Sequence, residues 1–169
     1  LQNFQCVPTS NVVFRVFDEN GKPTTAGFEI RDNLGRVYPL MSKRLAPDMH
    51  FHPQVYRNSG ETVKLPRGSY SIKYSRGPEY FSGVKKFNFD GGNNEIEFHL
   101  SRWIDPSRSG WWSGDHHIHA AGCSHYSKPT EGVHAPDMMR QCLGEDLKVT
   151  NFGGGNTSSK IIQKIGARI

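Results

Sequence analysis

The chain has 169 residues, of which 35% are hydrophobic, and the mean hydropathy is −0.63. No stretch approaches the roughly 20 apolar residues of a membrane helix, so a membrane-spanning protein is excluded and no membrane partner is expected. The 21 basic and 16 acidic residues give a formal net charge of +5. Because the basic residues do not cluster into a stripe that could follow a phosphate backbone, no nucleic-acid partner is expected.

The first part of the chain alternates apolar and polar side chains with a period of two, which is typical of half-buried β-strands. Residues 41–60 are less regular and predict a long loop or an edge element. The predicted strands cover residues 12–17, 27–31, 36–40, 61–65, 70–75, 84–89 and 95–100. Turn-forming residues separate the strands, and Asp32-Asn33-Leu34-Gly35 is predicted to form the turn of a hairpin between the strands over 27–31 and 36–40. The pattern predicts a mainly β fold, an antiparallel immunoglobulin-like β-sandwich over residues 1–104.

Residues 105–169 predict a linker followed by a short, incomplete β/α segment. A strand is predicted over 111–119, and a second over 147–152. Between them, Pro136 suits the first turn of a helix, and Gly144 is a candidate for its end. This order of strand, helix and strand is typical of the beginning of a β/α domain.

A terminal helix is predicted from isoleucines that recur every four residues, at Ile161, Ile165 and Ile169. Its apolar face would need to be covered, so this helix could join copies of the chain into a homo-oligomer. Trp111 and Trp112, at the end of the linker, are predicted to pack between the sandwich and the strand that follows.

A histidine cluster lies at the end of the strand over 111–119. Alternate residues of a strand face the same side, so His117 and His119 are predicted to point together. Two neutral imidazoles from one strand can bind one divalent ion. Asp115 is predicted to share their face, where it could bind the ion or fix an imidazole tautomer, and His125 could approach the same opening.

A second histidine pair and the three cysteines are also candidates for a metal site or a disulfide. His50 and His52 have the same spacing as the candidate pair, but they lack a nearby ladder of carboxylates and Pro53 follows, so a structural role is predicted. Three cysteines with no close spacing argue against a disulfide framework and against a zinc knuckle. Cys6, Cys123 and Cys142 leave one Cys123–Cys142 bridge open.

The motif Gly114-Asp115-His116-His117-Ile118-His119, with the helix start Pro136-Asp137-Met138-Met139 and the strand Leu147-Lys148-Val149, resembles the opening of a PHP-type (polymerase and histidinol phosphatase) metal-dependent hydrolase. The turns Gly21-Lys22-Pro23 and Leu65-Pro66-Arg67-Gly68 resemble those of the carboxypeptidase-regulatory-like module that precedes the carbaryl-hydrolase-like branch. The resemblance covers most of residues 10–150.

The resemblance implies a distorted β/α barrel that holds Zn, Mn or Fe ions and hydrolyses phosphoester, ester or amide-type bonds of a small-molecule substrate with metal-activated water. On this basis His117 and His119 match the first metal-ligand pair, and Asp115 matches the leading acid. His125 has no counterpart in the family, and the catalytic residues are unknown. Relatives that carry the sandwich are exported, which implies an extracellular or periplasmic location.

The sequence departs from the family after the second strand, where residues 149–153 contain neither carboxylate nor imidazole. The residues after the sandwich are also fewer than the roughly 200 that a β/α barrel needs. We therefore expect a fragment or a shortened form without hydrolase activity. Two alternatives remain: a small metal-binding or assembly protein completed by the terminal helix, and a non-catalytic β-sandwich module. The module would bind carbohydrate or a protein partner through exposed aromatic residues: Tyr80, Phe81, Trp103, Trp111 and Trp112.

Overall fold

A computed structural model describes residues 7–92, 94–121, 126–128, 132–153 and 162–164, with the backbone alone at 116, 117, 150–153 and 162–164. The strands of the first part are β1 (Thr9–Phe17), β2 (Thr25–Asp32), β3 (Val37–Tyr38), β4 (Val55–Asn58), β5 (Thr62–Pro66), β6 (Gly68–Ser75), β7 (Gly83–Phe89) and β8 (Glu95–His99). The second part contains β9 (Gly114–His119), α1 (Ala135–Gly144), β10 (Val149–Gly153) and β11 (Ile162–Lys164). Short 3-10 turns cover Met41–Lys43 and Pro106–Ser109.

Strands β1 to β8 form the predicted sandwich, and the mainly β fold is confirmed. One sheet has the order β5-β1-β8, and the other has the order β3-β2-β6-β7, with β4 also paired to β2. All pairs are antiparallel except β1 and β8, which run parallel from Val13 opposite Glu95 to Phe17 opposite His99.

The core lies between these two sheets because the inward residues of each strand are apolar. Phe14 of β1, Phe28 of β2 and Phe98 of β8 are almost fully buried, and their ring centroids lie 4.8–5.0 Å apart. Burial of one such side chain contributes roughly 1.5–3 kcal/mol. The alternation read from the sequence is therefore the pattern that the core requires.

The segment between β3 and β4 is organised around the buried side chain of Arg44. Its guanidinium donates hydrogen bonds of 2.7–3.2 Å to five backbone carbonyls. These acceptors belong to Pro39, Met49, His52, Pro53 and Gln54. The segment then ends in β4, so the predicted edge element exists and follows a compact loop.

The second part contains one strand–helix–strand unit. β9 and β10 pair in parallel, and α1 connects them, as the order of the predicted elements suggests. Pro136 lies in the first turn of α1, where its missing N–H would have no partner in the helix. The negative charge of Asp137 in the same turn interacts favourably with the positive end of the helix dipole. Among the described residues, no helix is long and apolar enough to cross a bilayer.

The predicted terminal helix is wrong where the structure describes it. Ile162–Lys164 form β11, antiparallel to β10, whereas Ile161, Ile165 and Ile169 lie outside the described residues. β-branched isoleucine suits a pleated strand better than a helix, so pairing with β10 outweighs the four-residue spacing. The homo-oligomer expected through this segment stays a prediction.

Helix α1 packs against β2 and β4, so the strand–helix–strand unit is fixed to the sandwich. The Tyr56 hydroxyl donates a 2.6 Å hydrogen bond to Glu145 at the end of the helix, and Arg140 forms an ion pair with Glu61. A Cβ atom at Gly144 would overlap the Tyr56 ring. The close approach of helix and strand therefore requires glycine at this position.

An ionic cluster joins the two parts, and we call Glu19, Glu79, Arg102 and Asp146 the Arg102 cluster. Arg102 donates to all three carboxylates at 2.5–2.8 Å. Asp146 is only 3% exposed. It also forms ion pairs with Arg76 (3.2 Å) and Lys148 (2.6 Å). The chain therefore enters β10 from a buried, charge-balanced anchor on the sandwich.

Candidate metal centre

The candidate site lies at the carboxyl end of β9, where the sequence places two histidines. Ile118 pairs with Phe152 and His119 with Gly153, so β9 and β10 end at the same edge of their sheet. His119 is exposed, whereas Ile118 is buried on the other face of the strand. The side chain of His117 lies outside the described part, so its pairing with His119 stays a prediction.

The pairing of β9 with β10 is irregular within the histidine motif. Thr150 pairs with Asp115, and Phe152 pairs with Ile118, so β9 contains one residue more than β10 between these pairs. Such an extra residue interrupts the alternation of side chains between the two faces. The expectation that Asp115 shares a face with His119 assumed unbroken alternation, so it stays a prediction.

Asp115 is exposed, and its carboxylate also acts on Cys142 of α1. Burial, and after it the negative charge of Asp115, raise the pKa of the Cys142 thiol to about 11. Cys142 is a free, buried thiol, and Cys123, the other half of the bridge left open by the sequence, lies outside the described residues. A thiol with such a raised pKa is an unreactive packing residue.

The chain returns to the histidine edge before α1 begins. Ala120 and Val133 form a parallel bridge, and the N–H of Ala121 donates to the Val133 carbonyl at 2.9 Å. His134, the residue before α1, therefore lies at the same edge of the sheet as the end of β9. No sequence pattern predicted His134 at this edge, and His125 lies outside the described residues.

The described part of the chain contains no group of three or more His, Cys, Asp or Glu side chains that could hold a metal ion. Tight zinc sites have three or four protein ligands. The donors at the β9 edge are imidazoles with a nearby carboxylate, the ligand types that Zn, Mn and Fe accept. Their chemistry fits such an ion, and the described side chains alone do not complete a tight site.

The second histidine pair has the structural surroundings that the sequence predicts. The Nδ1 atom of His52 lies 2.9 Å from the Gln54 carbonyl oxygen, and the His52 carbonyl accepts a hydrogen bond from Arg44. His50 is exposed and contacts the ring of Phe51 edge to face. His52 therefore belongs to the loop organised by Arg44.

The aromatic residues proposed for a binding module divide into two groups. Trp103 and Phe81 are more than half exposed, and their ring centroids lie 6.5 Å apart. Trp111 is 75% exposed, so the prediction that it packs between the sandwich and β9 is wrong. Trp112 is 50% exposed, and its packing there stays a prediction. Tyr80 is buried and hydrogen-bonds Glu19 and both Arg76 and Arg102, so it offers no surface to a ligand.

No protein-family model and no curated protein matches this chain. A functional interpretation therefore depends on the residues at the β9 edge and on the arrangement of the strands that carry them.

Proposed function

We propose that residues 114–153 form the opening unit of a PHP-type metal-dependent hydrolase domain, in which His117 and His119 bind a divalent ion. One observation carries the proposal: parallel β9 and β10, connected by α1, end side by side where the histidine motif ends. In α/β sheets and β/α barrels, ligands bind outside the carboxyl ends of the strands. The histidine motif ends at the carboxyl end of β9.

The residues of this edge would share the work of holding the ion. His117 and His119 supply neutral imidazole nitrogens, and Asp115 can accept the N–H of an imidazole and so fix which nitrogen faces the ion. An ion bound there would lower the pKa of a water molecule. Residues 149–153 add no carboxylate or imidazole, so we propose weak binding without hydrolysis by these two strands alone.

Metal titration tests the proposal. We expect the chain to bind Mn²⁺ and Zn²⁺ in calorimetry, and His117→Ala or His119→Ala to weaken the affinity at least tenfold because each removes one donor of the pair. Mn²⁺ is the more informative probe because thiolates compete strongly for zinc and the chain has three cysteines.

The matched control is His50→Ala, which removes an exposed histidine with the same spacing to a second histidine. It should leave the affinity unchanged. Absence of Mn²⁺ and Zn²⁺ binding, or equal weakening by all three variants, would contradict the metal site.

A second candidate function is a carbohydrate-binding or protein-binding sandwich module, favoured by the exposure of Trp103, Trp111, Trp112 and Phe81. Large exposed aromatic rings are typical of surfaces that bind a ligand. We expect a soluble oligosaccharide or a partner protein to quench tryptophan fluorescence, and Trp111→Ala to remove the effect. Quenching that persists in Trp111→Ala and Trp103→Ala would argue against this candidate.

A further inference from the structure

A cleft of about 670 Å³ opens at one end of the sandwich, away from the histidine edge. The turn between β2 and β3, with residues 38–43, forms one side, and residues 64–70 form the other. We call it the cationic cleft, defined by Leu34, Leu40, Lys43, Lys64 and Arg67. Its volume lies within the roughly 300–1,000 Å³ of ligand-binding clefts.

The charges of the cationic cleft are not balanced within the chain. Arg36 forms a 2.6 Å ion pair with Asp32, which is the acidic residue of the lining. Lys43, Lys64 and Arg67 form no ion pair with any residue in the described ranges. The six residues that precede Val7 contain no acidic side chain that could compensate them. A ligand with several negative charges would meet three uncompensated cations.

The same cleft offers aliphatic contacts above a fixed floor. Leu34 is 77% exposed and Leu40 is 50% exposed. Beneath them the buried rings of Tyr38 and Tyr70 pack edge to face, with centroids 5.5 Å apart. The Tyr70 hydroxyl donates to the Pro66 carbonyl at 2.6 Å. The floor is therefore held in place, while the leucines remain available to a ligand.

An exposed strand edge borders the cleft. Lys64 belongs to β5, whose strand partner among the described residues is β1. Pro66 ends this strand, but it has no N–H and its carbonyl already accepts the Tyr70 hydroxyl, so backbone pairing here would involve Lys64. An extended peptide can pair with such an edge, which supplies backbone hydrogen bonds in addition to side-chain contacts. The shape of the site therefore suits an extended chain.

We propose that the cationic cleft binds an acidic, extended peptide segment of a partner protein, with carboxylates at Lys43, Lys64 and Arg67 and an aliphatic side chain against Leu34 and Leu40. Single-stranded nucleic acid binds through exposed aromatic faces, and the tyrosine rings here pack against each other. A bilayer surface is flat and cannot enter a concave site. The inference is independent of the proposed metal centre.

Fluorescence anisotropy with a labelled hexapeptide that alternates glutamate and leucine tests the proposal on the full chain. We expect saturable binding that weakens at least tenfold when glutamine replaces glutamate, and severalfold when serine replaces leucine. The charge reversals Lys64→Glu and Arg67→Glu should each weaken binding about tenfold, because an added negative charge repels the peptide. Lys22→Glu, an exposed residue of another turn, is the matched control and should bind as the wild type does.

Circular dichroism of each variant should first show that its strands are kept, and the affinities are then compared. No saturable binding of the acidic peptide, equal weakening by Lys64→Glu and Lys22→Glu, or tighter binding to anionic phosphatidylserine vesicles or to oligothymidylate would overturn the proposal.

Discussion

Arg44 shows how one side chain can replace secondary structure. The guanidinium group has five N–H donors in a rigid plane. Here they donate hydrogen bonds to backbone carbonyls of the loop that are not paired within a strand or helix. Burial lowers the pKa of Arg44, and the nearby charge of Asp48 opposes this change. The residue is nevertheless charged at every ordinary pH, so the loop keeps its donor.

We expect Arg44→Met to lower the free energy of unfolding by about 3 kcal/mol, because it leaves several buried carbonyls without a donor. Arg44→Lys should lower the free energy of unfolding by a smaller amount, because an ammonium keeps three donors although it cannot reproduce the planar arrangement of the guanidinium donors. Urea unfolding followed by tryptophan fluorescence measures both. Arg108→Met, at a side chain that is 85% exposed, is the control. Equal stability of Arg44→Met and Arg108→Met would contradict the role of Arg44.

At the scale of elements, strands with one buried face could be predicted, because their alternation is local. In β4, Val55, Tyr56 and Arg57 are all buried, so no alternation marks the strand. Arg57 is buried because both arms of its guanidinium lie 2.6 Å from the Asp48 carboxylate. A contact of this kind leaves no signal in the sequence of the strand.

The same limit applies to the candidate site. The strand and its position at the start of a βαβ unit could be read from the order of elements and from the histidine motif. The extra residue between Asp115 and Ile118 arises from the pairing with β10, which lies more than 30 residues further along the chain. The parallel pair β1 and β8 is likewise a property of the topology. Neither could be deduced from local pattern.

At the scale of the whole molecule, the Arg102 cluster brings together residues up to 127 positions apart in sequence, from Glu19 to Asp146. Removing one partner of such a buried network leaves the opposite charges uncompensated, which costs about 3–5 kcal/mol. Arg102 also lies over the ring of Tyr80, with its carbon 4.2 Å from the centroid. The orientation of β9 and β10 on the sandwich therefore depends on this arginine.

The cluster also makes stability depend on pH. Burial raises the pKa of Glu19, but hydrogen bonds from Arg102 and Tyr80 outweigh it, so the pKa is lowered overall. A carboxylate with a lowered pKa stabilises the fold above its unfolded pKa, roughly 4.3, and this contribution is lost as pH falls through the lower folded value. Burial and the hydrogen bond to Glu19 raise the pKa of the Tyr80 hydroxyl. The stability that the protonated hydroxyl contributes is therefore lost only at alkaline pH, above about 10.

We expect Arg102→Met to lower the free energy of unfolding by about 3 kcal/mol or more at pH 7, and to lessen the further loss of stability between pH 4.5 and pH 2. The lessening follows because Glu19, without Arg102, titrates closer to its unfolded pKa. Urea unfolding at a series of pH values measures both effects. Arg15→Met, which removes an ion pair to Glu95 whose two side chains are 45% and 44% exposed, is the matched control and should change little. An Arg102→Met protein that keeps wild-type stability, or the full acid dependence, would show that the cluster does not join the two parts.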